Sequence, residues 1–188
     1  TYGIYSNNHN LTSTTDLVLA DSNGTNSYNC FFSDTISNVV GGIYIRGYNN
    51  GSAIAFTLDN HNLIGTDGGN YITNFSLTSG TGTASALGIY AAYQNNAKIA
   101  NNVVNGGTGS TAAVYGINAT NGTNCNIDIF NNTITVVSAA AGFNAAMYGI
   151  SNAIGSTGTA NTVNIYNNKV QNCKYTGTSG LAFSAITN

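Results

Sequence analysis

Ile99-Ala100-Asn101-Asn102-Val103-Val104 returns as Ile129-Phe130-Asn131-Asn132-Thr133-Ile134 and again as Ile165-Tyr166-Asn167-Asn168-Lys169-Val170. The pattern is apolar, any, Asn, Asn, any, apolar. Two earlier stretches fit it loosely: Phe31-Phe32-Ser33-Asp34-Thr35-Ile36 and Leu58-Asp59-Asn60-His61-Asn62-Leu63. A second motif, Gly-Ile, stands at Gly3-Ile4, Gly42-Ile43, Gly88-Ile89, Gly116-Ile117 and Gly149-Ile150, with Ala185-Ile186 as a degenerate copy. From Ile4 to Ile186 the period is about 36 residues, within the range of solenoid repeats. The two motifs alternate, each Gly-Ile being followed by one Asn turn. Asn8-His9-Asn10-Leu11 copies Asn60-His61-Asn62-Leu63 but follows Ile4 too soon to share the phase.

The segments around these motifs alternate apolar and polar residues, as half-buried strands do. Asn126-Ile127-Asp128-Ile129-Phe130 and Thr162-Val163-Asn164-Ile165-Tyr166 are examples, and clusters of Gly, Ser, Thr and Asn bound them. The Ala-rich stretch 138–147 is the sole helix candidate, and Gly142 and Asn144 interrupt it. The reading is therefore all-β: a solenoid of about five coils with an Asn turn column. Residues 1–188 are expected to form one domain, a segment of a longer solenoid or a subunit that stacks end to end, since neither terminus carries a polar cap.

Asn suits such a turn because it tolerates the left-handed backbone region and because its amide both donates and accepts. The first residue of each pair is expected to point inward as a ladder: Asn60, Asn101, Asn131 and Asn167, with Ser33 breaking the column. The second is expected in the left-handed turn: Asp34, His61, Asn102, Asn132 and Asn168. On that assignment Asn131→Ala costs about 1–3 kcal/mol by orphaning its partners Asn101 and Asn167.

Composition bounds the function. Charged residues make up 5% of the chain, and its net charge is -2. No basic stripe exists to neutralise phosphates, so nucleic acid is excluded as a partner. With 42% hydrophobic residues and 12 Tyr, the chain reads as a packed core, not a disordered linker. No apolar run reaches the length of a membrane span, and no signal peptide is visible, so the chain reads as a mature or excised segment. Cys30, Cys125 and Cys173 lack zinc-ligand spacing. They read as small buried hydrophobes, with a Cys125–Cys173 disulfide between nearby coils as the alternative.

The Asn-Asn turn with recurring Gly-Ile strands resembles the right-handed parallel β-helix repeats of the pectate-lyase-like superfamily. More narrowly it is similar to the Asn/Thr/Ser/Gly-rich surface repeat proteins secreted by Bacteroidota. The resemblance covers nearly the whole chain. It implies a right-handed parallel β-helix and an extracellular or cell-surface location. Functions within the superfamily range from polysaccharide lyases and hydrolases to adhesins, and a fold cannot choose among them.

Residues for chemistry are sparse. A calcium-dependent lyase needs clustered carboxylates and a base, but the Asp are scattered, Asp16 with Asp21 and Asp59 with Asp67 being the nearest pairs. Arg46 is the one arginine. A glycosidase needs two facing carboxylates, for which Asp34 and Asp59 on adjacent coils are the candidates. His9 and His61 read as turn residues. No catalytic, cofactor-binding or metal-binding residue is assigned, and no cofactor is expected. Tyr44, Tyr48, Tyr90, Tyr93, Tyr115, Tyr148 and Tyr166 fall on or beside the strands, where they stack between coils or, alternatively, meet sugar rings. Asn-x-Ser/Thr occurs at Asn10, Asn23, Asn50, Asn74, Asn118, Asn121 and Asn131. Asp34-Thr35-Ile36 resembles the short O-glycosylation motif of Bacteroidota. Thr-Gly-Thr at Thr81 and Thr157 is too irregular for an ice-binding array. The expectation is a non-catalytic extracellular structural segment of a filament, stalk or adhesin that associates end to end. The alternative is a polysaccharide-binding module or a carbohydrate-active enzyme.

Overall fold

The computed structural model describes residues 1–8, 19, 21–48, 58–76, 84–155, 161–177 and 182–188. Three large parallel sheets form a β-helix, and a two-stranded parallel sheet, Asp59–Asn60 with Gln94–Asn95, lies at one of its corners. The first sheet has six strands: Tyr2–Asn7, Gly41–Arg46, Ala86–Ala92, Val114–Thr120, Met147–Asn152 and Phe183–Thr187. The second and third sheets have five strands each. The chain visits the sheets in turn, so each coil is one strand from each. All the strand pairs are parallel, and Ile4, Ile43, Ile89, Ile117, Ile150 and Ile186 are successive register partners. The Gly-Ile motif therefore marks the same point of every coil. The longest coil runs from Ile43 to Ile89 and the shortest from Ile89 to Ile117. The only helical element among the described residues is a 3-10 turn, Ser22–Gly24. Residues 138–147 hold no helix: they form the link between the third and first sheets and bury Phe143.

The glycine of Gly-Ile has a packing cause. In Met147–Asn152 both Gly149 and Ile150 are buried, so the inward-outward alternation slips by one residue at the glycine. The other strands of the sheet repeat the slip. A Cβ on Gly42, Gly88, Gly116 or Gly149 would lie 2.6, 2.4, 2.4 or 2.7 Å from Ile72, Val104, Ile134 or Val170. Those β-branched residues form one stacked column on the third sheet. A column of missing side chains thus faces a column of branched ones, which lets the coil close tightly.

The Asn-Asn turn joins the second sheet to the third, and the order of its two positions is the reverse of that expected. Asn101, Asn131 and Asn167 have φ of 60, 56 and 53°, with Ser33 at 59°, and their side chains are exposed. Asn102, Asn132 and Asn168 form the inward ladder, continued by Asn70 and headed by Asp34. Asn70, Asn102 and Asn132 each donate from Nδ2 to the next Oδ1 at 2.9 Å. Each Oδ1 also accepts the backbone N–H of the preceding coil's ladder residue, Asp34 included. The reason is the period of the strand after the turn. Counting back in twos from buried Val104 and Ile134 puts Asn102 and Asn132 inside. The left-handed residue before them absorbs the break in alternation.

In the second coil the same turn is the longer loop from Gly65 to Gly69, and Asn70 fills the ladder place. Asn60 and His61 sit at another corner, before the second sheet. His61 has the expected left-handed backbone, at φ 56°; Asp34, Asn102, Asn132 and Asn168 do not. Asn60 is outside the buried ladder.

Candidate functional site

The corner before the second sheet stacks Tyr28, His61 and Asn96 in successive coils, and all three have positive φ: 61, 56 and 50°. The strands that follow fix this alignment, since Cys30 and Lys98 both pair with Leu63. Positive φ is unusual for a bulky aromatic residue. Tyr28 is also 72% exposed. Its ring lies on the His61 imidazole, with centroids 5.2 Å apart and planes 3° from parallel. Below the pair runs a second, half-buried amide series. Asn126 Nδ2 donates to Asn96 Oδ1 at 3.2 Å, and Asn96 Nδ2 donates to Asn60 Oδ1 at 3.0 Å.

Each of the stacked rings lines one hollow. One, about 290 Å³, is lined by His61, Asn96, Lys98, Asn126 and Asp128. The other, about 360 Å³, is lined by Ser22, Thr25, Ser27, Tyr28 and Asn60. Lys98 and Asp128 are register partners in the second sheet, and Asn164 Nδ2 donates to Asp128 Oδ1 at 2.9 Å. The corner thus presents two stacked rings, each beside a hollow lined by hydroxyl, amide or charged groups.

Behind it lies a buried carboxylate. Asp59 is 1% exposed. Its Oδ1 accepts from Asn8 Nδ2 at 2.8 Å and the Asn26 N–H at 2.9 Å, and its Oδ2 from Gln94 Nε2 at 3.3 Å. The donors are ordered by a chain: the Asn29 N–H donates to Asn62 Oδ1, Asn62 Nδ2 to Gln94 Oε1, and Gln94 to Asp59. A carboxylate, which only accepts, ends that chain without conflict. Burial pushes the Asp59 carboxyl up to about 6, against the hydrogen bonds from Asn26, Gln94 and Asn8, which hold it down.

A raised folded-state value means that the folded protein favours the neutral carboxyl. The associated stability is full below the unfolded value, near 4, and is lost as pH rises through about 6. Unfolding by urea at about pH 7.5 and about pH 4.5 is expected to show a gain of about 2 kcal/mol in acid from this group. In Asp59→Asn the gain disappears; an equal gain in the variant would place the titration elsewhere.

The carboxylates considered for catalysis do not meet. Asp34 heads the ladder after the second sheet, and Asp59 lies inside the corner before it, with both oxygens engaged. Asp67 is exposed on the Gly65–Gly69 loop, and Asp21 caps the 3-10 turn by accepting from the Asn23 N–H. Arg46 lies 5.7 Å over the Tyr93 ring. Among the described residues no three His, Cys, Asp or Glu gather to hold a metal ion. Cys125 and Cys173 are not joined, and each occupies its own corner: Cys125 Sγ is near the Thr123 carbonyl, and Cys173 Sγ near the Gln171 carbonyl. His9, Asn10, Asp16, Asn50, Thr81 and Thr157 lie outside the described residues.

Tyr5, Tyr44 and Tyr90 are register partners, with ring centroids 5.0 and 4.5 Å apart, and Tyr115 stacks on Tyr148 at 4.9 Å. These rings pack between coils on the first sheet's outer face, and burial raises the Tyr44 phenol above its ordinary range. Tyr28 escaped the sequence reading because Tyr is no turn former. Its signal was position: it stands before Asn29-Cys30-Phe31 as His61 stands before Asn62-Leu63-Ile64. No family model, no curated protein and no solved structure matches this chain. No helix of the described residues is long and apolar enough to cross a membrane.

Proposed function

We propose that this chain is a non-catalytic structural segment of an extracellular filament, stalk or adhesin. The observation that supports it is the use of the interior. The buried amides of Asn70, Asn102 and Asn132 are committed to coil-to-coil hydrogen bonds in one repeated geometry. Such bonding specifies stacking, and a stack is extended by adding coils. End-to-end self-association fits the same logic. Tyr2–Asn7 and Phe183–Thr187 lie in the same parallel sheet as the strands between them. Joining the last strand of one copy to the first of the next is a head-to-tail contact, which propagates.

Electron microscopy of the native protein tests this. Fibres with an axial repeat of about 4.8 Å are expected. Discrete particles at every concentration would remove the self-association. Turnover of a polysaccharide by the purified chain would remove the non-catalytic reading.

A second reading, an adhesive module that binds polysaccharide, is favoured by the Tyr28–His61 corner. Exposed rings beside polar hollows have the mixed character that sugars require: apolar groups and hydroxyl rims.

A further inference from the structure

We infer that the outer face of the first sheet pairs two copies of this chain side by side, with strands aligned and solenoid axes opposed. Two columns of outward side chains cross that face. One runs Tyr5, Tyr44, Tyr90, Asn118, Ser151 and Thr187 in successive coils. The other stands three residues earlier in each strand and holds Leu87, Tyr115, Tyr148 and Ser184 from the third coil onward. The slip in alternation at the glycine turns both columns outward. The rings form a ridge in the first column over three coils, and in the second column over the fourth and fifth. Beside each ridge the other column is low. Asn118 and Ser151 neighbour Tyr115 and Tyr148, and the nearly buried Leu87 neighbours Tyr90.

This relief fits itself. A two-fold axis along the strands, between the third and fourth coils, lays each ridge on the low half of the same column in the second copy. Tyr90 then meets Asn118, Tyr44 meets Ser151, and Tyr115 meets Leu87. Tyr148 meets the Tyr2 ring, which lies 2.6 Å from where a Cβ on Gly41 would stand. A two-fold along the solenoid axis instead sets Tyr5 against Tyr2, ridge on ridge. Tyrosine suits such a contact, since its ring is apolar and its hydroxyl can bond the facing amide or hydroxyl. Charge does not oppose it: Arg46 is the sole charged residue of the six strands. The axis sets the two Arg46 three coils apart, roughly 14 Å, beyond the screening length of physiological salt. Six strands of about six residues give a footprint of roughly 550 Å² per copy, or roughly 1,100 Å² per pair, enough for a specific interface. The contact is isologous and closes on itself, unlike the head-to-tail joining of coil ends.

The test is sedimentation velocity over a concentration series, on dilute protein cleared of fibres. Wild type is expected to show a monomer–dimer equilibrium. Asn118→Tyr builds a ridge where the partner's Tyr90 must fit, and should raise the dissociation constant about tenfold or more. Adding Tyr90→Ala moves the ridge by one coil and restores the fit, so the double variant should recover most of the loss. Thr135→Tyr, on the outer side of the third sheet, should dimerise as wild type does. Circular dichroism checks that each variant keeps its strands. Should Asn118→Tyr not fold, Ser151→Tyr, opposite Tyr44, carries the same expectation. A wild type that stays monomeric at every concentration would overturn the interface. So would wild-type affinity in Asn118→Tyr, or an equal loss in Thr135→Tyr. A double variant as weak as Asn118→Tyr would overturn the opposed arrangement. Open-ended growth that Asn118→Tyr leaves unchanged would assign self-association to the coil ends alone and overturn the role of this face.

Discussion

Asn132→Ala is expected to lower stability by about 3–5 kcal/mol, a large share of the roughly 5–15 kcal/mol of a typical domain. Asn132 Oδ1 accepts the Asn102 N–H at 3.0 Å and Asn102 Nδ2 at 2.9 Å. Its own Nδ2 donates to the Ile99 carbonyl at 2.9 Å, the Phe130 carbonyl at 3.0 Å and Asn168 Oδ1 at 2.9 Å. Alanine leaves the Asn102 N–H without an acceptor and its Nδ2 with the Ile64 carbonyl alone, at a site that is fully buried. Each orphaned buried group costs about 1–3 kcal/mol. The neighbouring position should behave in the opposite way. Asn131 is exposed with φ 56°, so Asn131→Gly is expected to be neutral or slightly stabilising. Urea unfolding of the two variants decides the point. A neutral Asn132→Ala beside a damaging Asn131→Gly would restore the order of the pair expected from sequence.

Gly116→Ala is expected to cost about 3 kcal/mol or more, although it adds a single methyl group. That methyl would lie 2.4 Å from Ile134 Cγ2 and 2.6 Å from the Gly149 carbonyl oxygen. The side chain can shift, but the backbone of the next coil is held in the ladder. Ile134→Ala removes the first clash and leaves the second. The double variant should therefore be more stable than the sum of the single losses predicts, without returning to wild type. Simple additivity in a double-mutant cycle would show that the two columns do not press on each other.

The coil register was legible because it rests on packing. Glycine beside isoleucine recurs wherever the first sheet must approach the third, and each of the six Ile positions aligned as read. The ladder was legible as a ladder but with its two positions exchanged. Continuing the alternation forward from Ile129 puts Asn131 inside, whereas counting back from Ile134 puts Asn132 inside. One left-handed residue separates the two counts, and composition does not announce it. The second coil misled for another reason. Leu58 to Leu63 imitates the Asn turn but forms the preceding corner, while the true turn is hidden in Gly-Gly-Asn before Tyr71. The candidate site was the least legible part. Tyr28 and His61 are 33 residues apart, and only the pairing of Cys30 with Leu63 reveals that they stack. Asp59 was read as one of two facing carboxylates, and its burial with hydrogen bonds from Asn8, Asn26 and Gln94 could not be foreseen from its immediate neighbours.

The hydrogen bonds between coils run along the axis of the stack, in the amide ladder as in the sheets. Tension applied to the two chain ends therefore does not load them together. It opens the outermost coil first, then the next, as tape peels from a roll. Each release frees a length of chain set by that coil, so the steps differ: the stretch from Ile43 to Ile89 yields the most slack and that from Ile89 to Ile117 the least. A rod built in this way resists compression, yet under a pull it lengthens in graded increments, as a shock-absorbing tether does.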